Sequence, residues 1–179
     1  MKFSAGLAAL LAVAVSASPV KRDAATVESD IAAISAQVTT LNNAITTFGT
    51  SKALTDALAI HSDAQTLEGL ITKATTDTNA SDAFTEDEGA AILTAIQGLQ
   101  PNIVTALQDL DSQHDNFASQ PIAGLDGVVE SDLNTLNTDT TAFENALLAK
   151  APADIQAQAQ SSIDAINSAF ATAIATYAS

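Results

Sequence analysis

Two histidines and one short acidic run are where the chain gathers groups able to do chemistry. His61 lies in "AIHSDAQ", and His114 lies in "DLDSQHD" with Asp109, Asp111 and Asp115. On a helix, Asp111, His114 and Asp115 fall three and four residues apart and share a face, the spacing a divalent cation could exploit. The run lacks the glycine and the terminal glutamate of a calcium loop, and the helix fans its other members around the axis. It therefore reads as a solvated helix face, and no metal site is expected. Nucleophilic catalysis fares no better. There is no cysteine, no G-x-S-x-G turn, and no strand pattern from which such a turn could lift a serine. Both histidines fall on apolar stripes and read as boundary imidazoles with a hydrogen-bond partner. No catalytic residue and no cofactor is expected.

The ends of the chain speak to its compartment. Lys2 precedes the apolar run "FSAGLAALLAVAV", which is too short to span a bilayer, and Val15-Ser16-Ala17 offers small residues for signal peptidase. The expected organisation is a signal peptide over 1–17, a short pro-segment over 18–22 ending at the dibasic pair Lys21-Arg22, and one domain over 23–179. Without the leader, three lysines face 21 acidic residues, a net charge of −18. Such a chain repels phosphate backbones, so nucleic acid is excluded as a partner. The "SAFATAIATYAS" terminus lacks the spacer and tail of a lipid-anchor signal. A secreted chain without a transmembrane segment is expected, and Asn79-Ala80-Ser81 supplies an N-glycosylation acceptor at Asn79.

The elements that would position any site are helices. Val27, Ile31, Ile34, Val38, Leu41, Ile45 and Phe48 alternate spacings of four and three, which predicts a helix from about Ala24 to Phe48 closed by Gly49. Ser51 is placed to cap a second helix reaching about Thr76, before the loop "TTDTNASDAF". Thr85 and Glu88 form a capping box for a third. Its stripe runs through Pro101 to Leu110 and Phe117, which predicts one helix kinked near the proline. A fourth, about Leu125 to Ala149, carries Leu136 and Phe143, and Pro152 opens a fifth carrying Phe170. The fold class is all-α, an up-and-down bundle of about five long amphipathic helices. Intramolecular packing can satisfy the first stripe, so a monomer is expected.

The leader, the Lys-Arg site, "VESDIAAISAQVTTLNNAITTF", "LQPNIVTALQDL" and "FENALLAKAP", in this order and spacing, resemble the fungal hydrophobic surface-binding protein family, which includes secreted cell-wall galactomannoproteins. The resemblance implies a non-enzymatic helical domain that adsorbs to hydrophobic surfaces and helps a cutinase-like, polyester-degrading esterase reach them. The alternative it implies is a bundle holding a fatty acid in its interior. The family's Ser/Thr-rich stalk and anchor signal have no counterpart in this sequence. A ligand-free structural or antigenic wall mannoprotein and a hydrolase with an unrecognised site are the remaining readings. For a lipid or hydrophobic surface, the candidate apolar wall is the first stripe with Leu136, Phe143 and Phe170. The candidate polar head-group contacts are His61, His114 and Thr140, the last standing on the fourth stripe where leucine would pack better.

Overall fold

A computed structural model of the chain describes residues 23–122 and 124–178. The expected leader and the Lys21-Arg22 site lie outside the described residues. Six helices follow one another: α1 Ala24–Ser51, α2 Leu54–Ala80, α3 Glu86–Asp111, α4 His114–Ala118, α5 Leu125–Lys150 and α6 Ala153–Tyr177.

Local chemistry sets most of their ends. The Asp23 carboxylate accepts from the backbone N–H of Thr26 at 2.9 Å and opens α1. The Thr85–Glu88 capping box opens α3, with the Thr85 N–H donating to the Glu88 carboxylate at 2.8 Å. Gly124, at φ 85°, makes the left-handed entry into α5.

Tertiary packing moved other ends. α1 runs past Gly49 to Ser51 and closes on Lys52 in the left-handed region at φ 52°. Ala53, not Ser51, takes the N-cap position of α2; the Ser51 hydroxyl instead accepts from the Ala53 N–H at 3.1 Å. The expected loop over "TTDTNA" is helix, because Asp77 and Thr78 are buried there. The Thr75 and Thr76 hydroxyls donate back to the carbonyls of Ile71 and Thr72 at 2.9 and 3.0 Å, so polar side chains that favour turns are satisfied within the helix. Asn79 therefore lies exposed in the last turn of α2 and not in a loop. α3 passes through Pro101 without a break but stops at Asp111, and Phe117 reaches the core from the separate short α4.

Directions alternate along the chain as an up-and-down bundle requires, yet neighbours in sequence are not always neighbours in space. α1 packs on α2, α2 on α5, α5 on α6, α6 on α3, and α3 on α1, which closes a ring of five. The pairs α1·α2 and α5·α6 are antiparallel hairpins. α2 and α5 run parallel, with His61 meeting Asp132 and Lys150 meeting the carbonyl of Asn79. α3 and α6 also run parallel, Gly89 lying against Pro152 and Ile155 at one end and Tyr177 reaching Leu110 at the other. A Cβ on Gly89 would stand 3.0 Å from Pro152 Cδ, so only glycine allows this approach.

All seven residues of the α1 stripe are buried, as are Leu136, Phe143 and Phe170. Among the described residues, the large apolar side chains left exposed are Leu58 and Ile122, each 47% accessible. At the end where α1 and α3 finish, Phe48 stacks tilted on Phe117 with centroids 4.4 Å apart, and Phe117 meets Tyr177 edge-on at 6.0 Å. The buried Tyr177 hydroxyl donates to the carbonyl of Leu110 at 2.8 Å. Tyr177→Phe removes this bond, leaving the carbonyl the Gln113 N–H at 2.9 Å, and is expected to cost about 1 kcal/mol, read as a lower midpoint in urea at unchanged slope. At the opposite end Lys73 bridges two buried carboxylates, reaching Asp77 at 2.8 Å within α2 and Asp30 across on α1.

Candidate functional site

Ring closure leaves space along the bundle axis. One cavity of about 70 Å³ lies toward the end where α3 and α6 begin, walled by Ile92 and Ile96 of α3, Thr140, Glu144 and Leu147 of α5, and Ile163 of α6. A second, about 50 Å³, sits mid-bundle between Ile34, Val38 and Leu41 of α1, Ile71 of α2, Leu136 of α5 and Phe170 of α6. Thr140 lines both. A third space of about 250 Å³ lies between α3 and α6 farther along, with polar walls from Gln108, Asp111, Ser168 and Thr172. Leu107 lines this space and the mid-bundle cavity alike.

These spaces divide the sequence candidates. Ile34, Val38, Leu41, Leu136 and Phe170 face the mid-bundle cavity. Val27, Ile31, Ile45, Phe48 and Phe143 are solid core that lines none of the three. No residue of the stripe forms an exposed face.

The polar candidates divide as well. His61 is taken up by a helix–helix contact, its Nδ1 2.8 Å from Asp132 Oδ2. Burial raises the Asp132 carboxyl above its ordinary range, and the bond to His61 opposes that shift. His114 stands edge-on to Tyr177 at 5.1 Å, at the far end, with Asp115 3.3 Å away. Neither histidine lines any of these three spaces. Thr140 does. Thr135 and Thr138 return their hydroxyls to the carbonyls of Ser131 and Asn134. Thr140 makes no such bond among the described residues.

One group escaped the sequence reading. Glu144, a single turn beyond Thr140 on α5, is 9% accessible and faces the same apolar cavity. Its Oε2 accepts from the Asn167 amide at 3.4 Å, while Oε1 is buried without a hydrogen-bond partner. Burial pushes this carboxyl from its ordinary 4.5 up to about 7; the Asn167 bond lowers it somewhat and nearby Asp164 raises it further. A signal existed: Glu144 lies four residues after Thr140 and three before Leu147, on the inward arc of the helix, where a carboxylate is costly.

That cost has a sign. The folded chain holds this proton up to about pH 7, whereas the unfolded chain releases it near 4.5. Stability from this group is thus complete below pH 4.5 and is lost as pH rises through 7. Glu144→Gln is expected to abolish that loss, worth about 2 kcal/mol between pH 5 and pH 8 after allowance for partial solvation. Urea unfolding of the two proteins at both pH values measures it by difference, which cancels the titration of the remaining carboxylates.

A ring of helices around small apolar cavities, with a hydroxyl and a carboxyl one turn apart on the cavity wall, has the build of a binding bundle for apolar molecules. Among the described residues no group of histidines and carboxylates could hold a metal ion. Residues 24–149 match the family model described as hydrophobic surface binding protein A, and the chain belongs to that family. It is 34% identical to AFMP4P, solved in complex with palmitic acid. That match covers 87% of this chain and 99% of AFMP4P at a TM-score of 0.81. Ligand-binding domains 1 and 2 of the Penicillium marneffei MP1 protein, both solved with arachidonic acids, share the fold at TM-scores of 0.78. Their identities are 15% and 21%, with 86% and 89% of this chain and 98% of each domain covered. A search of curated protein sequences found no match.

Proposed function

We propose that this protein is a secreted, non-catalytic carrier of single-chain amphiphiles such as fatty acids, taken up between α3, α5 and α6. The observation that carries this reading is the pair of apolar cavities that share Thr140 as a wall, with Glu144 as the carboxyl beside it. The complexes of AFMP4P and the MP1 domains with fatty acids support the ligand class. A methylene takes about the room of a water, ~30 Å³. Cavities of 70 and 50 Å³ therefore hold only a few carbons, so a helix must move to admit a long chain.

α3 is the helix suited to move. It lines all three spaces. Pro101 supplies no backbone N–H to the preceding turn, and Gly98 beside it adds no side-chain anchor. From Gly89 to Gln108 it carries no charged residue, and its outward side presents Ala90, Ala91, Gly98 and Pro101 among the neutral polar Thr94, Gln97, Asn102 and Thr105. α3 has the length and apolar composition of a membrane-crossing helix, although here it packs on α1 and α6.

That uncharged face favours a second reading for the same protein, adsorption to hydrophobic surfaces through α3 and the interior it uncovers. Removing apolar area from water would drive it at about 25 cal/mol per Å². Recruitment of a cutinase-like esterase belongs with this reading. A glycan on Asn79 and cleavage after Lys21-Arg22 belong with secretion.

Mass spectrometry of lipid extracted from the purified protein, alongside its adsorption to hydrophobic beads, tests the proposal. A co-purified fatty acid that blocks adsorption is the expected result. Empty protein that coats the beads and retains an added esterase would favour surface recruitment, and failure of both bindings would leave a ligand-free wall protein.

A further inference from the structure

Glu144 is a poor choice for a cavity meant only to be greasy. Its Oε1 is buried without a partner, and its one hydrogen bond is the long contact to Asn167. Lipid-facing walls are built from aliphatic side chains, as Ile92, Ile96, Leu147 and Ile163 are here. A carboxyl among them costs stability unless something meets it.

We propose that Glu144 is the group that meets the polar end of the ligand, holding a carboxylic acid lipid as an acid–anion pair in which one proton is shared between two carboxyls. This rests on the acyl-binding reading above and adds its head-group chemistry. With Glu144 protonated, its O–H donates to the ligand carboxylate, and the Thr140 hydroxyl one turn away is placed to donate a second bond. With Glu144 ionised, two carboxylates in a water-poor cavity repel each other, and the acid is rejected. A neutral ligand ending in a hydroxyl pairs with either form of Glu144, because the carboxyl accepts in both.

The surroundings of Glu144 fit a proton-controlled contact. α6 supplies Asn167 and the acidic Asp164, and no cation. α3, across the cavity, presents Ile92, Leu93 and Ile96. α2 packs on the other side of α5, where Glu68 faces Asp132 and Asp139. On α5 itself Lys150 is committed to the carbonyls of Asn79 and Ser81, at 3.1 and 2.7 Å. Around α4, Asp115 and His114 lie at the far end. Among the described residues no positive charge is therefore at hand to hold a ligand carboxylate, and a proton is the available substitute. Burial, with Asp164 adding to it and Asn167 opposing it, brings Glu144 to titrate near neutrality, about 7.

Lauric acid and 1-dodecanol, equal in chain length and different only at the polar end, separate the possibilities. Lauric acid is ionised throughout pH 6–8, since carboxyls in water titrate near pH 4. Calorimetric titration of the full chain is expected to show lauric acid binding about tenfold weaker at pH 8 than at pH 6, with dodecanol unchanged. Titrations in buffers of different ionisation enthalpy should show close to one proton taken up per lauric acid at pH 8, and none with dodecanol. Glu144→Gln should bind lauric acid with no change between pH 6 and pH 8. If that variant does not fold, the proton count on the wild type still decides. Binding of both ligands without proton uptake overturns the proposal and leaves the acyl-binding reading intact. The same holds if Glu144→Gln keeps the pH dependence. Binding of neither ligand overturns both.

Discussion

Thr140→Phe is expected to weaken binding of palmitic acid by about a hundredfold more than it weakens binding of decanoic acid. Thr140 is the lining residue that both apolar cavities share, so on the acyl-binding reading a chain that occupies the two passes beside it. A phenyl ring there closes the route and confines the ligand to one side. Palmitic acid carries six methylenes more than decanoic acid, and each is worth about 0.8 kcal/mol when buried. Losing two-thirds of that gain, about 3.2 kcal/mol, is already more than a hundredfold in affinity. Thr140→Val, which keeps the shape and removes the hydroxyl, should retain the chain-length preference and serves as the control. Equal weakening of both acids by Thr140→Phe would show that the cavities are not joined in the complex. Circular dichroism guards against a simple overpacking defect, which in a tight interior costs about 1–3 kcal/mol.

The second large effect concerns the end of the bundle away from Glu144. Phe48→Ala is expected to remove about 3–5 kcal/mol of stability, a large part of the 5–15 kcal/mol that holds a typical domain. Phe48 has no accessible surface, and its ring rests on that of Phe117, which in turn meets Tyr177. Three helix ends and the short α4 meet on this cluster, so the hole left by the ring cannot be filled by one neighbour. Phe48 lines none of the three spaces. At a temperature where the variant is still folded, its affinity for lauric acid should therefore match the wild type. Urea unfolding gives the stability and calorimetry the affinity. A variant that is stable but binds poorly would mean that this end of the bundle also opens for the ligand.

Helix content was legible because the information is local. The α1 stripe from Val27 to Phe48 repeats at helical spacing, and all seven positions are buried as the period requires. The Thr85–Glu88 capping box and the N-terminal limit of α1 were equally readable, since each is set by side chains within one turn. Boundaries failed where a distant surface decided them. "TTDTNA" has turn composition, yet burial of Asp77 and Thr78, with Lys73 held between Asp77 and Asp30, keeps it helical. Phe117 kept the register of α3, but the chain breaks after Asp111 so that α4 can turn its ring onto Phe48.

The candidate site was legible in part for a related reason. Sequence periodicity says which side chains point inward, and it pointed to Ile34, Val38, Leu41, Leu136, Thr140 and Phe170, all of which line a cavity. It cannot say which inward positions meet another side chain and which meet empty space. Phe48 and Leu41 lie on one stripe; the first is solid core and the second a cavity wall. His61 was a sound polar candidate until Asp132 arrived from α5, 71 residues along the chain.

By itself, then, the sequence determined five long amphipathic helices, their inward faces, the scarcity of catalytic groups and the family. The first three are written in spacings of three and four residues or in composition, and the family in the resemblance of its ordered stretches. The tertiary structure alone decided that α3 closes the ring between α1 and α6 rather than packing beside α2. With that closure came the cavities, the place of Thr140 on the wall of both and the burial of Glu144. All of them depend on which faces meet across the bundle, and a helical period fixes the direction of a side chain but not its neighbour.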